Sequence, residues 1–323
     1  MARIDLPPIH TEEFLGMLRE ALFAPDDLMR FARLVHRREF MDPLVEPLAE
    51  DASFMDRHGD ALLDLLNSYS RRYRERCYRE RMRAGYDGIR IVSEGDSWFQ
   101  YPFQLRDVID HLSESYAVLS RGRAGDTLAN IIAEKEQDIF EPLAQEQPHF
   151  FLISGGGNDM VGNRGLARLV APFAADRAPQ AYADTPAFEA FIDDLVGQYR
   201  ALFVEIDARH PGVQILLHGY DAPIPGHDED LWLGEPLRSR GIHDPQLQVQ
   251  IMVAIMDRYN DALADLADGF DHVHHVNCRD CLAPDHWHDP MHPTSEGYAA
   301  VAARFDARIR ELTAALHPQI VLR

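Results

Sequence analysis

Apolar residues recur along this chain with two different periods, and the change between them lies near residue 86. Before that point they return every three to four residues, the spacing of one helix face, over 12–23, 26–38 and 60–83. Pro25 and Pro43 interrupt the pattern. The sequence therefore predicts a helical N-terminal extension over residues 1–86.

From residue 87 onward, short apolar runs alternate with longer amphipathic segments. The runs predict strands over 89–93, 116–120, 150–154, 213–218 and 272–277, and the longer segments predict helices over 128–145, 186–209, 245–267 and 295–316. Alternation of this kind favours parallel strands joined by right-handed crossovers. We expect residues 87–323 to form one three-layer α/β/α domain around a five-stranded parallel sheet, as in flavodoxin-like folds.

Two long stretches of this second part, 160–185 and 221–244, are rich in Pro, Gly and Asp and predict irregular structure. Ligands of parallel sheets bind beyond the carboxyl ends of the strands. Long loops at that edge form either substrate walls and lids or plain irregular surface, and the sequence leaves both interpretations open.

The chain carries a formal net charge of −21, which disfavours binding to nucleic acid or to anionic membranes. Glutamates interrupt a row of arginines over 71–83, which we interpret as a solvated helix or one paired with acidic groups elsewhere. No apolar run approaches the roughly 20 residues of a membrane span. The first residues hold no apolar signal core, so we expect a cytoplasmic protein. The N-terminal helices could pack on the sheet domain or on a second copy of the chain, as in a homo-oligomer.

Three cysteines give no disulfide framework, but Cys278 and Cys281 form a CxxC pair with histidines nearby. A structural zinc site needs four nitrogen or sulfur ligands. Because a second CxxC pair and a regularly spaced histidine pair are missing, we favour two partly buried thiols. We expect neither a metal nor an organic cofactor.

Candidate chemistry begins at Ser97, which follows the predicted strand 89–93 on a turn that contains glycine. A serine on such a turn becomes a nucleophile when a general base lies beside it. His292 can supply that base, and Asp289, three residues earlier, can orient the imidazole from the same loop. His286 and His288 are competing bases, and Ser97 taken alone is more typical of a helix cap.

Four short motifs in a fixed order resemble those of the SGNH hydrolases, also called the GDSL esterase/lipase family. They are Gly95-Asp96-Ser97-Trp98, the segment 120–127 with Gly122, Gly125 and Thr127, Gly156-Gly157-Asn158-Asp159, and Asp289 with His292. Trp98 replaces the usual leucine, and Ser120 and Ala124 replace an asparagine and a serine. The resemblance covers roughly residues 87–310 and leaves the N-terminal extension outside it.

The resemblance implies a serine esterase with a triad of Ser97, His292 and Asp289. It assigns the oxyanion hole to the backbone N–H groups of Ser97 and Gly125 and to the side-chain amide of Asn158. Without the family, Asn158 is also typical of a turn after glycines, and Asp289 of a loop acid before proline. We interpret the acids of the first and third motifs as structural, and these are Asp96 and Asp159.

The expected reaction is hydrolysis of an O-acyl ester through an acyl-enzyme. A short-chain or carbohydrate-linked acetyl ester is favoured, and a lysophospholipid or other lipid ester is the alternative. Three aromatic residues are candidates to line the substrate pocket or simply to pack the core, namely Trp98, Tyr101 and Trp232. A different class of function is a catalytically silent scaffold that binds a partner through its N-terminal helices.

Overall fold

The computed structural model describes residues 32–36, 43–47, 59–101, 105–226, 230 and 232–320. The strands are β1 (Ala32–His36), β2 (Pro43–Pro47), β3 (Arg90–Gly95), β4 (Ala117–Ser120), β5 (Phe150–Ser154), β6 (Gln214–Leu217) and β7 (Val273–His275). The helices are α1 (Gly59–Arg83), α2 (Val108–Ser115), α3 (Leu128–Ala133), α4 (Glu141–Glu146), α5 (Gly157–Val161), α6 (Gly165–Leu169), α7 (Pro186–Arg209), α8 (Gly234–Ser239), α9 (Pro245–Ala267) and α10 (Ser295–Leu316). One π-helical turn spans Glu136–Phe140, and 3-10 turns span Gly162–Arg164, Pro179–Tyr182 and Pro284–His286.

The last five strands form one parallel sheet in the order β4-β3-β5-β6-β7, which confirms the predicted five-stranded parallel sheet. The chain moves outward one way from β3 to β4 and the other way from β5 to β7. Right-handed crossovers therefore place α2 on one face of the sheet and α7 and α9 on the other. Accordingly α10 packs against α2, and α7 packs against α9. A crevice opens where the direction reverses, between the carboxyl ends of β3 and β5.

The three longest helices of the sheet domain begin and end where the sequence predicts. Each helix is capped by a side chain that accepts a backbone N–H of the first turn. The capping residues are Thr185 for α7, Asp244 for α9 and Thr294 for α10. Helices α7 and α9 also begin with proline, whose fixed φ angle is already that of a helix. Within the described residues, no helix is long and apolar enough to cross a lipid bilayer.

Other elements depart from the prediction. The predicted helix 128–145 is divided into α3, the π-helical turn and α4, because the ring of Pro142 would clash with the carbonyl of Asp138 in a regular helix. Helix α2 has no predicted counterpart, although Asp107 caps it by accepting two backbone N–H groups. The loop predicted over 160–185 contains α6 and two 3-10 turns, and the loop over 221–244 contains α8.

The N-terminal extension is only partly helical where it is described. The helix predicted over 26–38 is wrong for Ala32–His36, because this run pairs in antiparallel register with Pro43–Pro47 and the two strands satisfy each other's backbone groups. The helix predicted over 12–23 lies outside the described residues. Helix α1 confirms the helix predicted over 60–83, and it packs against β4 of the sheet.

Candidate active site

Ser97 lies on a tight turn directly after β3. The Asp96 carboxylate accepts the N–H of Trp98 at 3.0 Å, and the Asp96 carbonyl accepts those of Phe99 and Gln100 at 3.0 and 2.9 Å. Asp96 therefore closes the turn that presents the Ser97 hydroxyl. The serine is 5% exposed, and it lines a cleft at the carboxyl edge of the sheet.

The structure brings His292 and Asp289 to this serine. Ser97 Oγ lies 2.8 Å from His292 Nε2, and His292 Nδ1 lies 2.8 Å from Asp289 Oδ2. Because the carboxylate takes the hydrogen on Nδ1, Nε2 is left to accept the serine proton. Asp289 Oδ1 also accepts the N–H groups of Met291 and His292, each at 2.8 Å, which holds the carboxylate in line with the ring.

The competing bases lie elsewhere in the same loop. His286 Nδ1 accepts the N–H of Ala283 at 3.3 Å, and the ring of His288 meets that of Tyr101 edge-on. Of these three histidines, His292 is the one whose ring nitrogen lies within hydrogen-bond distance of Ser97.

Gly125 and Asn158 follow β4 and β5, and so reach the same edge of the sheet. Gly125 has φ +91°, a left-handed conformation that favours glycine. Asn158 lies in the first turn of α5, lines the cleft beside Ser97, and donates from Nδ2 to the Asp126 carbonyl at 2.7 Å. An amide nitrogen carries two hydrogens, so the second can serve a ligand.

Tyr220 joins the loops that carry Ser97 and Asn158, a link that sequence reasoning missed. Its hydroxyl donates to Asp96 Oδ2 at 2.5 Å and accepts the N–H of Gly157 at 3.2 Å. The residue has φ +64°, which is uncommon for a side chain of this size and places it among strained, over-determined positions. One signal was available, since Tyr220 follows β6 at the carboxyl edge of the sheet.

A buried histidine supports the same turn from below. His218 Nε2 lies 3.0 Å from Ser154 Oγ, and that hydroxyl donates to Asp96 Oδ1 at 2.9 Å. Burial lowers the pKa of His218 to about 3, and burial raises the pKa of Asp96. His218 is therefore neutral at physiological pH. Because the Ser154 hydroxyl donates to Asp96, it accepts its hydrogen bond from His218 Nε2.

The cleft has an empty volume of about 480 Å³, including the part open to solvent. Its apolar lining consists of Trp98, Met160, Val161, Tyr220, Pro223, Leu233, Met252, Met256 and Met291. Asp221 also lines it, but its carboxylate accepts the N–H groups of Ala222, Asp280 and Leu282 at 2.8, 3.0 and 2.9 Å. Among the described residues no lysine or arginine lines the cleft.

Two of the three aromatic candidates, Tyr101 and Trp232, pack against the ring of His292. Trp98 lines the cleft and donates from its indole N–H to the Met291 carbonyl at 3.2 Å. The ring centre of Tyr101 lies 4.9 Å from that of His292, and the ring centre of Trp232 lies 6.3 Å from it. All three side chains are buried, and Tyr101 and Trp232 are not part of the cleft lining.

The histidines near the CxxC pair form hydrogen bonds with side-chain oxygens of other residues. Cys278 is buried and Cys281 partly buried. His274 Nε2 lies 2.8 Å from the side-chain oxygen of Gln214, and His275 Nε2 lies 3.1 Å from that of Asn260. In the part of the chain that the structure describes, no three His, Cys, Asp or Glu side chains come together as a metal site.

Fold and cleft together define a three-layer α/β protein with its ligand site at the switch point of a parallel sheet. The sequence profile described as the GDSL-like Lipase/Acylhydrolase family matches residues 80–300, and the chain belongs to this family. It is a hydrolase that acts on ester bonds. Comparison with curated protein sequences finds no match.

Several solved structures are similar to this chain at low identity. A candidate platelet activating factor from Streptococcus pneumonia is 15% identical with a TM-score of 0.46, over 77% of this chain and 97% of that one. A candidate acylhydrolase from Bacteroides fragilis is 16% identical with a TM-score of 0.45, over 69% and 87%. An acetyl xylan esterase from Geobacillus stearothermophilus is 17% identical with a TM-score of 0.44, over 69% and 94%.

Proposed function

We propose that this chain is a serine esterase in which Ser97 is the nucleophile, His292 the general base and Asp289 the residue that orients the base. The observation that carries the proposal is the hydrogen-bond series at the cleft, with 2.8 Å from Ser97 Oγ to His292 Nε2 and 2.8 Å from His292 Nδ1 to Asp289 Oδ2. A base removes a hydroxyl proton from heavy-atom distances of about 2.6–3.2 Å.

In the proposed reaction, Ser97 Oγ attacks the ester carbonyl carbon while its proton passes to His292 Nε2. The carbonyl oxygen becomes an oxyanion, which the N–H groups of Ser97 and Gly125 and the amide of Asn158 stabilise. The alcohol leaves with the proton from His292, and a water molecule activated by the same histidine releases the acid. Asp289 stays ionised and stabilises the imidazolium.

The lining of the cleft favours an ester with an apolar acyl group over the acetyl or carbohydrate ester favoured by the sequence. Methionine side chains adapt to flexible apolar ligands, and four of them line this cleft. Tyr101 and Trp232 do not line the cleft, so neither offers a ring face for stacking a sugar. The substrate that fits best is an uncharged acyl chain longer than acetyl, as in the lipid-ester alternative.

The first test is labelling and turnover with Ser97→Ala. We expect kcat to fall by about 10⁴-fold or more, because the acyl-enzyme no longer forms. A fluorophosphonate probe should label the wild type and leave Ser97→Ala unlabelled. Ser115→Ala, which removes an exposed serine hydroxyl, should behave as the wild type in both assays. If Ser97→Ala hydrolyses esters as fast as the wild type, the proposed mechanism is wrong.

The second test is a series of p-nitrophenyl esters from acetyl to dodecanoyl. A buried methylene contributes about 0.8 kcal/mol, so kcat/KM should rise by about fourfold for each added carbon until the cleft is filled. Met252→Phe, which narrows the cleft, should reduce kcat/KM for long chains more than for acetyl. A wild-type preference for acetyl would contradict the proposed substrate and leave the triad proposal standing.

A further inference from the structure

Helix α1 lies almost entirely before the family segment that begins at residue 80, yet it contacts a loop of the site. Asn67 of this helix is 3% exposed. Its Oδ1 accepts the N–H of Ala124 at 3.0 Å, and its Nδ2 donates to the Ala124 carbonyl at 3.2 Å. The two bonds define the orientation of the amide, since a backbone N–H only donates and a carbonyl only accepts.

The Ala124 carbonyl and the Gly125 N–H belong to one peptide unit. That unit is planar and trans, so its C=O and N–H point in opposite directions. A bond that holds the carbonyl oxygen therefore also sets the direction of the Gly125 N–H. A donor on the carbonyl further polarises the peptide and strengthens its N–H as a donor.

The orientation of the peptide between Ala124 and Gly125 has to be fixed by contacts with another part of the chain. Gly125 has φ +91°, and glycine has no Cβ to restrict rotation on its side of the peptide. Helix α1 can provide these contacts, because buried ion pairs from Arg71 to Asp138 and from Arg74 to Asp107 attach it to the sheet domain. An apolar side chain at position 67 would fill the same space without the free-energy cost of burying an amide. What Asn67 adds over such a side chain is its two hydrogen bonds to Ala124.

We propose that Asn67 is a positioning residue of the active site, which orients the Gly125 N–H towards the oxyanion. Helix α1 thereby completes a catalytic apparatus whose other members lie within the family segment. The inference rests on the proposed function, in which that N–H is an oxyanion donor.

The experiment compares Asn67→Ala and Asn67→Asp with the wild-type chain. Asn67→Asp keeps the shape and the acceptor for the Ala124 N–H but loses the donor to the Ala124 carbonyl. We expect both variants to lower kcat by about 10- to 100-fold, with KM within about twofold of wild type, because the loss falls on the transition state. The affinity for an alkyl boronic acid, which forms a tetrahedral adduct on a serine, should fall by the same factor as kcat/KM.

The matched control is Arg79→Met, which removes an ion pair between α1 and Glu146 and leaves Ala124 untouched. It should lower Tm without changing kcat. Folded Asn67 variants with wild-type kcat would overturn the inference, and so would an equal loss of kcat in Arg79→Met. Ser97→Ala in the same assay separates the two proposals. Activity retained there refutes the esterase mechanism, whereas an inactive Ser97→Ala beside fully active Asn67 variants refutes only the role of Asn67.

Discussion

Glu94 shows at the scale of one residue how burial sets a protonation state close to the nucleophile. It lies on β3 and is 2% exposed. Its Oε1 accepts the N–H of Gly95 at 2.9 Å, and its Oε2 has no hydrogen-bond partner in the described part of the chain. Burial raises the pKa of Glu94 to about 8, against the lowering effect of Arg71 and with a further rise from Asp138 and Asp126. The side chain is therefore mostly neutral at pH 7.

Glu94→Gln should change how stability depends on pH. Because the pKa in the folded state is raised from 4.5 to about 8, the proton on Glu94 contributes stability that is fully present below about pH 4.5 and is lost as pH rises through 8. Glutamine stays neutral throughout. Relative to the wild type, the variant should be least stable at pH 5 and should gain up to about 1.4 kcal/mol per pH unit between these limits, a few kcal/mol by pH 9. Urea unfolding at pH 5, 7 and 9 measures this, and a difference that shrinks as pH rises would contradict it.

Site residues that stand in sequence motifs could be predicted from the sequence, whereas site residues outside any motif could not. Ser97, Asn158 and His292 stand in short motifs that follow strands or precede a helix, so their meeting at one edge could be expected. Asn67 and Tyr220 stand in no motif. Their partners lie 57 and 124 residues away in the sequence, and only the packed structure brings these groups within hydrogen-bond distance.

Helix α1 is the element whose role changed most between sequence and structure. Its arginines could be read as solvated or as paired with acids, and the structure shows the second arrangement at several positions. Arg74 is the most deeply involved. It donates to the Phe99 carbonyl at 2.7 Å, to Gln100 Oε1 at 2.6 Å and to Asp107 Oδ2 at 2.5 Å, so it ties α1 to the chain that follows the nucleophile.

Arg74→Met should destabilise the protein strongly. It leaves the fully buried Asp107 without its cation, and breaking a buried pair typically costs about 3–5 kcal/mol. Burial raises the pKa of Asp107 even beside Arg74, so the loss should be larger at pH 8 than at pH 5, where the carboxyl more readily takes up a proton. Urea unfolding of Arg74→Met and of Arg74→Met with Asp107→Asn tests this. The double variant should recover much of the loss, and a double variant as unstable as the single one would contradict the explanation.

Elements with strong local signals were predicted, and elements set by their neighbours were not. Helices α7, α9 and α10 carry a capping residue and a long apolar stripe, so both ends could be read from the sequence. Helix α2 has eight residues, too few to establish a period. The run 32–36 lacked any local sign of its partner, because a strand of five residues gains its hydrogen bonds only from pairing.

For the whole molecule, local signals in the sequence were enough to predict the parallel sheet and its flanking long helices, since these follow from periodicity, capping and the right-handed crossover rule. The order of the four motifs could be read directly from the chain. The attachment of α1, the polar groups beneath the Ser97 turn and the apolar lining of the cleft follow only from the packed structure. These features depend on contacts between residues far apart in the chain, and burial then decides their energies. A hydrogen bond or a charge pair acquires its weight only after water has been excluded around it.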